Sequence, residues 1–116
     1  MFAALFAAAT MLLTPVRVSG PVPEHTMVAV LRDWFPSENL TIKQGEAIRF
    51  VDGDPTAGPG HTFTENVPEG VKPKFDSDVV PPGTFRDVPD IPTLAKGRYS
   101  FHCTIHDVLK GTLTVE

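Results

Sequence analysis

The sequence predicts an all-β domain, a sandwich or barrel of many short strands. Its 116 residues suffice for one domain, and 41% of them are hydrophobic, so a core can be buried. Twelve prolines and nine glycines interrupt the chain too often for long helices. Between these breaks, short apolar, β-branched or alternating segments recur along the chain, which is the pattern of strands joined by turns.

The first 20 residues differ from the rest. The run from Phe2 to Leu13 is apolar apart from one Thr and has the length of a signal-peptide h-region. Small residues follow, up to Gly20, but no Lys or Arg precedes the run, which leaves an uncleaved anchor or a core helix as the alternative. We expect residues 1–20 to be a signal peptide and residues 21–116 to be an exported domain, periplasmic or extracellular, with no membrane span.

The strands are predicted in order after a Pro-rich link. Residues 26–31 are apolar and partly β-branched, residues 39–43 lie between Pro36 and a Gln-Gly turn, and residues 46–51 alternate. Residues 52–60 are predicted to form a loop, and residues 66–82 are predicted to run over the surface, because both segments are rich in Pro, Gly and charge. Further strands are predicted at 61–65, 84–88, 99–103 and 111–115.

Cys103 is the only cysteine, so it cannot form an internal disulfide. A lone thiol in an exported protein is either buried and inert or bound to a metal. Alternation along a strand places Tyr99, Phe101 and Cys103 on one face, which we take as the inner one. Two residues then allow the chain to turn, so that His106 returns toward the thiol at one end of the domain.

His61 offers a second imidazole, directly after the Gly/Pro-rich loop. Glycines beside a ligand let the backbone approach closely. One thiolate and two imidazoles form the trigonal donor set that holds copper in blue-copper electron-transfer sites. Cys103, His106 and His61 are therefore candidate copper ligands.

The chain resembles the plastocyanin- and pseudoazurin-like cupredoxins over about residues 26–116. The matching segments are Tyr99-Ser-Phe-His-Cys103-Thr-Ile-His106, the final Lys110-Gly-Thr-Leu-Thr-Val115, and His61-Thr-Phe-Thr64. The resemblance implies a Greek-key β-sandwich of about seven to eight strands. It also implies one type 1 copper ion, Cu(I) or Cu(II), with His61, Cys103 and His106 as equatorial ligands.

The chain departs from the family at the axial position. Three residues after the second His, where the family usually has Met, stands Leu109, and the three methionines lie elsewhere. The copper could be three-coordinate, could receive a weak axial bond from the Gly60 carbonyl, or could be weakly held or lost. We expect one of the first two, with Leu109 non-ligating, because the axial bond is long and weak. We also expect Leu109 to raise the reduction potential.

The function predicted on this basis is a one-electron carrier, and the alternative is copper scavenging, delivery or sensing without redox turnover. We do not expect an enzyme, because multinuclear copper catalysis needs more than four histidines, and intact ligands disfavour a metal-free structural sandwich. The expected partner is an unidentified redox protein that docks near His106, Val108 and Leu109, on a monomer. A net charge of −4 without a basic patch argues against nucleic acid.

Other conspicuous side chains are not expected to bind the metal. Strand alternation points His102 away from the site, and His25 is expected in solvent. We expect Trp34 and Phe35 to pack in the core or cover a sheet edge, and Asp107 to be exposed.

Overall fold

The computed structural model describes residues 22–56, 58–106 and 108–116. The predicted signal peptide, residues 1–20, lies outside the described residues, as does Asp107. Within them the fold is an all-β sandwich with one short 3₁₀-helix at Ile91–Thr93, which confirms the predicted fold class. The eight strands are β1 (His25–Val30), β2 (Asp33–Phe35), β3 (Asn39–Ile42), β4 (Ile48–Asp52), β5 (Thr64–Glu65), β6 (Phe85–Asp87), β7 (Gly97–His102) and β8 (Lys110–Val115).

Two four-stranded sheets form the sandwich, with strand orders β2-β1-β4-β6 and β3-β8-β7-β5. The pairs β1–β4 and β3–β8 are parallel, and the other pairs are antiparallel. Parallel partners cannot be joined by a hairpin, so the chain crosses between the sheets repeatedly, as in a Greek key. The described residues contain no helix with the length and hydrophobicity needed to cross a bilayer.

The core forms where the inward residues of both sheets meet. In β4 the buried positions are Ile48, Phe50 and Asp52, which is the period of two that a strand with one face in the core must show. The ring of Trp34, in β2, lies edge-on to the rings of Phe63, just before β5, and Phe101, in β7. The ring centroids are 5.8 Å and 5.3 Å away. These aromatic contacts join the two sheets beneath the end that carries Cys103.

The predicted strands overlap those observed, with three differences. Strand β2 was not predicted, because three residues are too short to show a period. Of the predicted strand 61–65 only Thr64–Glu65 pairs continuously, while His61 forms an isolated bridge with Val80. The segment 66–82 does not only run over the surface, since it buries Phe75 and Ser77.

Candidate metal centre

The loop that carries two candidate ligands is closed by its own backbone. Cys103 follows β7 directly and is fully buried. Its N–H donates to the Leu109 carbonyl at 2.9 Å, and the Leu109 N–H donates to the His106 carbonyl, also at 2.9 Å. These two hydrogen bonds fold the loop back on itself, so Cys103 and His106 lie at the same end of the sandwich, as the sequence predicted.

His61 comes to this end of the sandwich from a segment about 40 residues earlier in the sequence. Its N–H donates to the Val80 carbonyl at 3.2 Å, and its carbonyl accepts from the Val80 N–H at 2.8 Å. The preceding Gly60 has a φ of +132°, and a Cβ there would collide with the Val80 carbonyl oxygen. A glycine is therefore required for the tight bridge that delivers His61.

The three predicted ligands come together. The Cys103 Sγ lies 3.5 Å from the His61 Nδ1, and the imidazole rings of His61 and His106 have centroids 4.6 Å apart. The backbone N–H of Thr62 donates to the Cys103 sulfur at 3.3 Å. A soft sulfur and two imidazoles thus share one buried corner of the fold.

These residues fit a late first-row metal ion. At zinc-like bond lengths, a nitrogen and a sulfur on one ion lie about 3.5–3.8 Å apart for bond angles between tetrahedral and trigonal, and the observed separation of the His61 Nδ1 and the Cys103 Sγ is 3.5 Å. The Nε2 of His106 is buried and has no hydrogen-bond partner within the described residues. No three His, Cys, Asp or Glu side chains of the described residues already form a closed metal cluster. The donor types, and the observed separation of two of them, are therefore those that such an ion requires.

Sequence analysis missed the partner of His61, which is Asp54. One carboxylate oxygen of Asp54, Oδ2, lies 3.1 Å from the Nε2 of His61, and both side chains are buried. An ionised carboxylate can only accept a hydrogen bond, so this contact favours the ring proton on Nε2 and leaves Nδ1 as the nitrogen that faces Cys103. In the metal-free protein the thiol of Cys103 can donate to it, and a metal ion would displace that proton.

Asp54 is itself held by a short polar loop. Its Oδ1 accepts from the hydroxyl and the N–H of Thr56, at 2.7 Å and 2.9 Å. The hydrogen bonds from Thr56, followed by the one from His61, lower the pKa of Asp54 to about 2. The carboxylate is therefore ionised at neutral pH. The only sequence signal for it is the Asp-x-Asp-x-Thr spacing of residues 52–56, which is typical of consecutive Asx turns.

Threonine hydroxyls tie the two ligand-bearing segments together. The Thr62 hydroxyl accepts from the Thr104 N–H at 2.9 Å and lies 3.2 Å from the Thr104 hydroxyl. The Thr64 hydroxyl lies 3.0 Å from the Thr62 hydroxyl and also 3.0 Å from a carboxylate oxygen of Asp76. This network fixes the residue after His61 to the residue after Cys103.

The expected axial region is apolar. The Leu109 side chain is fully buried and belongs to the same core cluster as Cys103. Of the three methionines, Met27 is the one that the structure describes, and it is buried in β1. Gly60 is buried next to His61 and is required there by its backbone conformation. A role for its carbonyl toward a metal stays a prediction.

The remaining conspicuous side chains lie in varied surroundings. His102 is half-buried in β7, between the buried Phe101 and Cys103, and its Nδ1 has no partner in the described part of the chain. The prediction that His25 lies in solvent was wrong, because His25 begins β1 and its Nε2 lies 2.9 Å from the Oε1 of Glu46. Trp34 is core, as predicted, whereas Phe35 is 63% exposed.

An open cavity lies beside His106. It has a volume of about 550 Å³ and is lined by Leu31, Arg32, Asp54, Thr56, His106 and Val108. Val108 is 69% exposed and Leu31 is 64% exposed, so the rim is partly apolar. Leu109, which we expected at the docking surface, is fully buried and takes no part in that surface. The loop closure, in which the Leu109 carbonyl accepts from the Cys103 N–H, holds Leu109 against the core.

Comparisons with known proteins find similar folds among solved structures. No family model matches the sequence, and no match to a curated protein was found. Among solved structures, a copper-containing nitrite reductase from Thermus scotoductus is 25% identical at a TM-score of 0.64. The alignment covers 90% of this chain but only 26% of that chain, so this chain spans about a quarter of the enzyme's length.

Two smaller proteins match over most of both chains. A purple cupredoxin from Nitrosopumilus maritimus is 18% identical, with a TM-score of 0.62, over 80% of this chain and 100% of that chain. Amicyanin from Paracoccus versutus is also 18% identical at a TM-score of 0.62, over 84% and 86% of the two chains. Identities this low bear on the fold alone. The described chain has the cupredoxin fold.

Proposed function

We propose that this chain binds one copper ion in a type 1 site through His61, Cys103 and His106 and carries single electrons. The observation that supports this most directly is the approach of the Cys103 Sγ to the His61 Nδ1, at 3.5 Å, beside the ring of His106. When bound, copper would supply the redox chemistry by alternating between Cu(I) and Cu(II). The soft thiolate suits the reduced ion, and imidazole suits both.

The surroundings of these donors suit electron transfer. His61 is bridged to Val80, and the loop from Cys103 is closed by hydrogen bonds at both ends. A rigid donor set limits the movement that accompanies a change in charge, and burial of Cys103 and His61 keeps water away from the sulfur. The chain itself therefore holds, orients and shields the redox centre.

His106 is the proposed electron port. It is half-buried and lines the open cavity, whereas Cys103 and His61 are fully buried. A redox partner protein would dock on the rim that includes His106 and Val108, with the protein exported to the periplasm or the cell exterior and acting as a monomer. An apolar rim around a partly exposed ligand gives such a partner a short path to the metal.

We propose a carrier and not an enzyme. The similarity to nitrite reductase extends over about a quarter of that protein, so the enzyme's activity does not transfer to this chain. The sequence has four histidines, and two of them, His61 and His106, are assigned to the one copper.

Copper delivery without redox turnover is the second candidate. The observation that favours it is the buried Leu109, which offers no thioether at the position expected to face the metal. A carrier has to retain both oxidation states, whereas a delivery protein releases one of them readily. Retention after reduction therefore distinguishes the two functions.

The test is Cu(II) addition to the purified domain, followed by absorption and EPR spectra before and after reduction. We expect an intense thiolate-to-copper band with narrow hyperfine splitting, lost on reduction and restored on reoxidation with the copper retained. Cys103→Ser is the control, because it keeps the size of the side chain and should abolish the band. Loss of copper on reduction supports delivery, and a pale wild-type complex without the band contradicts the type 1 proposal.

A further inference from the structure

We propose that Asp54 is a positioning residue for the copper site, which fixes the ring of His61 so that its Nδ1 faces Cys103. The proposal rests on the proposed function where it concerns copper. The orientation of the ring is a property of the protein without metal and can be measured there.

The contact between Asp54 and His61 is made inside the protein. Asp54 is 4% exposed and His61 is fully buried. The Asp54 Oδ2 accepts from the His61 Nε2 at 3.1 Å, while the other ring nitrogen lies 3.5 Å from the Cys103 Sγ. The ring is thus held at both nitrogens, and the carboxylate decides which nitrogen carries the proton.

Asp54 can hold His61 because it is fixed in turn. Its N–H donates to the Oδ1 of Asp52 at 2.8 Å, and its own Oδ1 receives two hydrogen bonds from Thr56. These successive turns leave one oxygen, Oδ2, free to meet the imidazole. Both oxygens of Asp54 therefore act as acceptors, and an amide nitrogen at either position could not accept these hydrogen bonds.

Because of this arrangement, Asp54→Asn tests the role of the second acceptor oxygen with little change in shape. Asn has nearly the same shape but only one acceptor oxygen, whereas Asp54 uses two. The oxygen should stay with the two donors of Thr56, which turns the amide NH₂ toward the His61 Nε2. A donor there favours the tautomer with the proton on Nδ1, and that nitrogen then cannot bind a metal until it loses the proton.

Loss of the carboxylate should weaken copper binding and change the potential. Removing a hydrogen-bond partner of a metal-binding His typically costs about 10- to 100-fold in metal affinity. A negative charge one imidazole away from the metal also favours the more positive oxidised ion. We therefore expect both Asp54→Asn and Asp54→Ala to lower the Cu(II) affinity and to raise the reduction potential.

The experiment uses the wild-type domain, Asp54→Asn, Asp54→Ala and the matched control Asp87→Asn. Asp87 pairs with Arg49 at the surface, so the control removes the same charge without touching His61. The tautomer of His61 is read from ¹⁵N NMR of the metal-free protein, and Cu(II) affinity is measured by competition with a chelator. Chemical denaturation of each metal-free variant shows whether it is folded.

We expect the Nε2–H tautomer in the wild type and in Asp87→Asn, and its loss in Asp54→Asn together with about 10- to 100-fold weaker Cu(II) binding. An unchanged tautomer in folded Asp54→Asn overturns the inference, whether or not copper binds. A changed tautomer with unchanged affinity and potential overturns the part that concerns copper. A wild type without a thiolate-to-copper band refutes the proposed function, while the NMR result still decides whether Asp54 orients His61.

Discussion

The two candidate imidazole ligands lie in contrasting surroundings. His61 is fully buried, paired through its backbone with Val80 and contacted at both ring nitrogens, by Asp54 and by Cys103. His106 is half-buried and lines an open cavity, and its Nε2 has no hydrogen-bond partner in the ranges that the structure describes. The difference indicates that the fold holds the His61 ring through more contacts than the His106 ring.

The two segments that carry the histidines therefore contribute to the candidate site in different ways. The segment from Asp52 to His61 supplies a rigid donor through Asx turns and a backbone bridge. The loop from Cys103 to Leu109 supplies the thiol and the half-buried ring of His106, which lines the open cavity.

The largest expected effect is on the stability of the metal-free protein. His61→Ala removes a fully buried ring and should lower the free energy of unfolding by about 2–4 kcal/mol. His106→Ala removes a half-buried ring and should cost less than about 1 kcal/mol. Chemical denaturation of both variants without copper measures the difference. Equal losses would contradict the contrast between the two histidines.

A smaller effect is expected at the backbone that delivers His61. Gly60→Ala places a side chain at a φ of +132° and against the Val80 carbonyl, and should cost about 1–3 kcal/mol. Gly58→Ala is the matched control, because a Cβ there meets nothing within 4 Å, and its effect should stay within about 0.5 kcal/mol. Denaturation of the metal-free variants tests this pair. Similar stabilities would show that the bridge to Val80 is not a rigid element.

The smallest effect on stability is expected at the other segment. Leu109→Met conserves volume at a fully buried position and should change the free energy of unfolding by less than about 1.5 kcal/mol. If Leu109 faces the copper, the added thioether should lower the reduction potential, as measured by redox titration. Leu113→Met in β8 is the control, since it makes the same exchange in the core, outside this loop. An equal potential in both variants would remove Leu109 from the axial role.

Much of the fold was predictable from local patterns. Strands β4 and β7 could be predicted from the alternation of their residues, because a strand with one face in the core buries every second residue. The spacing between Cys103 and His106 likewise predicts a turn at the end of β7. Strand β2 could not be predicted, since a segment of three residues takes its conformation from pairing with β1.

The candidate donors could be identified from residue type and spacing alone: one thiol, Cys103, an imidazole three residues later, and a second imidazole, His61, behind a glycine. The contact between Asp54 and His61 and the burial of Leu109 became evident only from the folded chain. Residue type and spacing are local properties, whereas a hydrogen bond or a buried contact depends on where separate segments meet. That meeting is set by the packing of the two sheets.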